Sequence, residues 1–157
     1  MNAVDFYIIC REACEGLGLE QAGSLGTGDP IELNGVYIEA LFIDGQDSCL
    51  LQADIGVIDT RERVNVYETL LAMQLQAWDD SRVRFGFHPL HESIVLCSWV
   101  ALNSEDHGAQ LAAQLQALAA QVNAWREGPL AGRAFPRPRG GLSADTEISR
   151  MTLVNAV

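Results

Sequence analysis

The sequence predicts an α+β fold: a five-stranded antiparallel sheet with three helices, in the order α-β-β-β-α-β-β-α, paired as a homodimer. Three observations lead there. Apolar residues recur at helical spacing in three separate stretches, near residues 4–19, 65–78 and 104–127. Between these stretches the period drops to two, and Asn34-Gly35 sits between two apolar runs as a hairpin turn would. The middle helical stretch also carries apolar residues on more faces than one sheet can cover, which is the ground for expecting a second copy.

The first helix is read over residues 4–19. Phe6, Ile9, Cys10, Ala13 and Leu17 form one stripe, with Asp5, Glu12 and Glu15 off it. Gly16 and Gly18 weaken its end, and Gly23 to Pro30 reads as a turn-rich connector. Strands flank Asn34-Gly35, one from Ile31 and one from Val36 to Ile43, the latter ending at Asp44-Gly45. Cys49 to Ile58 completes a three-stranded meander, with Asp54 and Gly56 interrupting an otherwise apolar run. In the middle helix, Asn65 followed by Glu68 resembles a capping box. Val66, Leu70, Met73 and Ala77 make one stripe, Tyr67, Leu71 and Trp78 a second, and Leu75 points a third way. Such a helix either lies deep inside the domain or presents its outer face to another chain. Two strands follow, Arg82 to His88 and Ser93 to Leu102, joined by a turn at Pro89. The last helix is read from Ser104, its cap, to Glu127, with a seam of Leu111, Leu115, Leu118, Val122 and Trp125. Gly128-Pro129 stops it, which sets a domain at residues 1–128 and leaves 129–157 as a flexible C-terminal tail.

Composition narrows the function. The chain has 157 residues, the length of one domain, with 48% apolar residues and a formal net charge of −11. All ten basic residues are arginine. Residues 1–127 hold 19 acids and 6 arginines, whereas 128–157 hold 2 acids and 4 arginines. A body so negative repels phosphate backbones and anionic lipid, so neither nucleic acid nor membrane is expected as a partner. Without lysine there is no Schiff base and no P-loop. No window approaches the roughly 18 apolar residues that span a bilayer, and no secretory signal is visible at Met1 to Asp5. Cys10, Cys14, Cys49 and Cys97 lack a CxxC spacing and read as buried free thiols in a cytoplasmic protein.

The residues offer little chemistry. His88-x-x-His91 spans a proline turn with no third ligand at a recognisable spacing. Cys10 and Cys14 share a helical face but lack two further soft ligands. Gly23-x-x-Gly26-x-Gly28 precedes a strand, the wrong order for cradling phosphate. The carboxylates are spread over helix faces and turns, and no acid/base pair stands out. No catalytic, metal or cofactor residue is expected, which leaves binding. The sheet has edges that could recruit an extended peptide, and its apolar content exceeds what one small core needs.

In this order the features resemble the small acidic chaperones of type III secretion effectors, the Tir-chaperone family. The resemblance rests on the amphipathic first helix, the strand ending Leu51-Gln52-Ala53-Asp54-Ile55-Gly56, and the helix Tyr67-Glu68-Thr69-Leu70-Leu71-Ala72-Met73-Gln74. It continues through Arg84-Phe85-Gly86-Phe87, the strand through Val95-Leu96, and the last helix closing on Trp125. The family implies a homodimer joined through the middle helix, for which Val66, Leu70, Met73, Gln74 and Trp78 are the expected contacts, with Phe85 and Phe87 in support. It implies apolar grooves for the N-terminal segment of a cognate effector, held in extended form and kept competent for the secretion ATPase. The expected groove residues are Phe6, Ile9 and Leu17 on the helix and Val36, Ile38, Leu41 and Ile43 on the strands. The competing reading is an acidic inhibitor or immunity-type protein that blocks a basic toxin or nuclease surface; it draws on the charge alone.

Overall fold

The computed structural model describes residues 1–43, 45–76, 84–103 and 105–136. Helix α1 spans Ala3–Gly16 and opens with a reciprocal cap: Asn2 accepts from the Val4 and Asp5 amides while Asp5 accepts from the Asn2 amide. The expected connector after it contains a four-residue helix, α2, at Ser24–Thr27. Then come β1 (Ile31–Leu33), β2 (Val36–Phe42) and β3 (Ser48–Ile58), followed by α3 at Arg63–Gln76. Strands β4 (Arg84–His88) and β5 (Ser93–Ala101), helix α4 (His107–Glu127) and a two-residue strand β6 (Ala134–Phe135) complete the chain. Among the described residues there are thus six strands and four helices, one strand and one helix more than expected, the additions being the shortest of each kind.

The sheet is antiparallel in the order β1-β2-β3-β5-β4, and β6 pairs with the end of β3 that β2 does not reach. Asn34 and Gly35 both adopt positive φ, 52° and 75°, as a tight two-residue hairpin requires. Strand parity then sorts the faces. Val36, Ile38 and Ala40 of β2 and Cys49, Leu51, Ala53 and Ile55 of β3 point to one side and are buried there. Helices α1 and α4 cover that side, contributing Phe6, Ile9, Cys10 and Ala13 from one and Leu111, Leu115, Leu118 and Val122 from the other. The last helix is capped by Asp106, whose carboxylate accepts from the Ala109 amide; Ser104, the expected cap, lies outside the described residues.

Two boundaries differ from the sequence reading. The middle helix begins at Arg63, so Asn65 is inside its first turn, where its carbonyl accepts from Thr69 instead of its side chain capping. The packed body also runs past Pro129. Leu130 is buried in the core and β6 pairs with Val57 and Ile58, so a tail starting at 129 begins too early. The physical reason is a Gly128–Arg133 turn that brings the chain back to the open edge of β3. Residues 137–157 of the expected tail lie outside the described residues.

Candidate protein-binding surfaces

Two surfaces and one buried anchor follow from this architecture. The first is the outer side of α3 with β4. Val66 and Leu70 point into the protomer's own core, while Val64, Leu71 and Leu75 are exposed by 66%, 66% and 75%. These last three lie at i, i+7 and i+11, one stripe along the helix. Phe87 of β4 is also exposed, and its ring packs against Tyr67 at 5.9 Å between centroids. Gln74 Oε1 accepts a hydrogen bond from the Phe85 amide at 2.8 Å, so the half-buried glutamine satisfies an N–H on the outermost strand. Arg63 pairs with Glu92 at 2.9 Å and ties the start of α3 to the β4–β5 turn.

The second surface is the sheet face opposite α1 and α4. Across β2, β3 and β5, Leu41, Leu50 and Trp99 stand in register as one apolar row, with Trp99 43% exposed and Ile43 just beyond it. Along the same face the next rows turn polar, through Glu39, Gln52 and Cys97 to Tyr37, Asp54 and Val95. The polar end is concave. A shallow hollow is lined there by side chains including Tyr37, Glu39, Asp54, His88, His91 and Ser93. Asp54 is buried at a β-bulge and accepts from the Ser93 hydroxyl at 3.2 Å. The two histidine rings stack 4.2 Å apart.

The third feature is what fixes the bulge from beneath. Arg126 of α4 donates to the carbonyls of Ile55 (2.7 Å), Asp54 (2.8 Å) and Gly35 (2.9 Å), joining helix, bulge and hairpin turn. Burial lowers its pKa, and the nearby Asp54 charge acts in the opposite direction. The thiols are shifted by burial as well. Burial pushes Cys49 up to about 12 and raises Cys10, Cys14 and Cys97, with Cys49 and Cys14 adding to the rise at Cys10. Among the described residues no group of three or more His, Cys, Asp or Glu could hold a metal ion.

The expected site residues divide accordingly. Phe6, Ile9, Val36 and Ile38 belong to the core between helices and sheet, not to a groove, and Leu17 is half-buried at its margin. Leu41 and Ile43 are on or next to the open face. Parity explains the split, because even and odd positions of one strand cannot share a side. On the expected dimer surface, Val66 and Leu70 turn inward, Met73 and Gln74 are half-buried, and Phe85 packs edge-on against Trp125 at 4.9 Å. Phe87 is exposed; Trp78 lies outside the described residues. The sequence reading missed the Val64–Leu71–Leu75 stripe and the Leu41–Leu50–Trp99 row. The spacing of the first was visible, and the second needed the pairing register.

The family model of the Tir chaperone protein (CesT) family matches residues 31–126, well over half the chain. The protein belongs to the CesT family. No curated protein matches the chain. Among solved structures, the crystal structure of the ExsC–ExsE complex is similar with a TM-score of 0.64 and 18% identity, over 82% of this chain and 96% of that one. The likeness extends to the α+β fold with its antiparallel sheet. In this CesT-family protein the match to the family begins at β1 and stops one residue before the end of α4, so α1 and β6 both lie outside it. No helix among the described residues is long and apolar enough to cross a membrane.

Proposed function

We propose that this CesT-family protein is a chaperone for a type III secretion effector, working as a homodimer in the bacterial cytoplasm and catalysing no reaction. The observation that carries the reading is the apolar surface left outside the core: the Val64–Leu71–Leu75 stripe with Phe87 on one side, and the Leu41–Leu50–Trp99 row on another. The first suits a second copy, since a helix stripe and an adjoining outer strand can meet their own symmetry mates. The second suits an effector segment lying across the open face.

The energetics favour this division. Ordering an extended segment costs about 1–2 kcal/mol per residue in backbone entropy, and a fully buried Leu or Phe returns roughly 1.5–3 kcal/mol. A client held in extended form therefore needs a run of apolar anchors on a surface long enough to offer them, supplemented by strand pairing at β1 or β4. Co-expression with the product of the neighbouring gene tests the reading. Light scattering on the purified material is expected to give two copies of this chain per effector segment; a monomer that ignores every candidate client would overturn it.

A further inference from the structure

We propose that the β4–β5 turn is a pH-sensitive catch: it stays closed while the His88 ring is neutral, and a proton on His88 opens it and releases the start of α3. This device does not depend on the chaperone reading. It gives a role to the His88-x-x-His91 pair, which the binding surfaces leave unused.

The catch is built on one acceptor. His88 ends β4 and pairs with Ser93 across the turn, and its Nδ1 accepts a hydrogen bond from the His91 amide at 3.3 Å. A ring nitrogen accepts only through its lone pair, so in the closed turn Nδ1 carries no proton and the imidazole is neutral. An imidazolium carries a proton on both nitrogens and would set donor against donor at the His91 amide. The two rings also stack 4.2 Å apart with 19° between their planes, so charge on one stands directly against the other.

The rest of the turn needs that bond. Glu92 has φ 48°, in the left-handed region that L side chains rarely adopt. A residue stays there only where its surroundings fix it. Here the His91–His88 bond precedes it, the pairing of Ser93 follows it, and its own carboxylate bonds Arg63 at 2.9 Å. Arg63 is the first residue of α3, and its Nε is buried without an acceptor among the described residues. A turn that relaxes toward ordinary backbone angles withdraws Glu92 from a guanidinium already short of acceptors.

The surroundings admit the proton. Across the hollow the rings meet Tyr37 and Glu39 of β2, Asp54 of β3, and Ser93 and Val95 of β5. Tyr37, Glu39 and Asp54 are themselves engaged within the chain. On β4, Arg84 shares the face two rows away, and Arg63 lies beyond Glu92. The carboxylates of Glu39, Asp54 and Glu92 favour a cation on the pair, whereas the closed turn refuses one at His88. The closed turn thus binds one proton fewer than the open turn. Closure holds above the His88 titration and is lost as pH falls through it.

NMR on the full-length protein tests the catch between about pH 8 and about pH 5.5. The heteronuclear NOEs of His91 and Glu92 are expected to fall by about a third, with the midpoint of the His88 ring-proton titration. The Arg63 amide is expected to shift with the same midpoint. His88→Asn places Oδ1 where Nδ1 stands and takes no proton in this range, so its NOEs are expected to stay at their alkaline values. His91→Phe keeps a ring in the stack and removes the second titration, and the fall is expected to persist there. Unchanged NOEs in the wild type, or an equal fall in His88→Asn, overturn the proposal. So does a first proton that titrates on His91 with the turn still ordered. An Arg63 amide that ignores the titration overturns the link to α3.

Discussion

Arg126 joins three parts of the fold: helix α4, the β3 bulge and the β1–β2 turn. Its three carbonyl partners come from β3 and from the β1–β2 turn, and no neutral residue can satisfy all of them from α4. Hydrogen bonds to charged groups contribute about 1.5–3 kcal/mol each, less where water can replace them. Arg126→Ala is therefore expected to cost about 3 kcal/mol, read as a lower urea midpoint at unchanged m value. Arg126→Lys should recover less than half of the loss, because an ammonium has no fork to span three acceptors; full recovery would show that charge alone matters there. The buried thiols give a second residue-scale expectation. Burial pushes the Cys49 thiol up to about 12 in the folded chain, whereas an unfolded thiol ionises near its ordinary value of about 8.5. Above that value the native state binds more protons than the unfolded one, so stability falls as pH rises from about 9 toward 12, by about 1.4 kcal/mol per pH unit per thiol. Cys10 contributes with the same sign. Urea midpoints at successive alkaline pH values should decline less steeply in Cys49→Ala, and an equal slope in the variant would remove Cys49 as a cause.

At the scale of elements, α3 is where inward and outward residues must be told apart. Leu70 is buried in its own protomer, so Leu70→Asp is expected to unfold the helix and lower stability, with no clean readout of assembly. Leu71→Asp and Leu75→Asp touch the exposed stripe. Each is expected to leave the circular dichroism spectrum and urea midpoint near those of the wild type while converting dimer to monomer in sedimentation velocity. Dimers that survive both changes would place the interface elsewhere. The same helix shows what the sequence could convey. Its existence was legible from several apolar stripes, but which stripe faced inward depended on tertiary contacts such as those with β4 that periodicity does not encode. Strands fared better where turn chemistry was local: Asn34-Gly35 fixed the hairpin, and its parity fixed which side chains share a face. Choosing Val36 and Ile38 together with Leu41 and Ile43 ignored that parity. The last helix starts at His107 with Asp106 as its cap, later than the start read from the sequence. Short elements such as α2 and β6 are held by tertiary contact, through Leu25, Leu130 and the β3 edge, and have no periodic signal of their own.

For the molecule as a whole, the family and the layer order were readable because they depend on the sequence of elements, while the binding surfaces depend on what the core leaves uncovered. Two kinds of surface remain on one strongly acidic body, and salt separates them. An apolar client lying on the Leu41–Leu50–Trp99 row is held by burial of hydrocarbon, which salt does not screen. A partner recognised through the acidic charge would be held by Coulomb attraction that fades as the Debye length shrinks from about 10 Å at 0.1 M to about 3 Å at 1 M. The affinity for the effector segment is accordingly expected to change by less than about threefold over that range, which is less than 1 kcal/mol. Trp99→Ala should weaken it by roughly tenfold or more at both salt concentrations, the amount expected for a buried aromatic anchor. Isothermal titration at the two ionic strengths measures both effects together. Affinity that collapses in salt and ignores Trp99 would transfer the function to the acidic surface and revive the reading of an inhibitor that covers a basic partner.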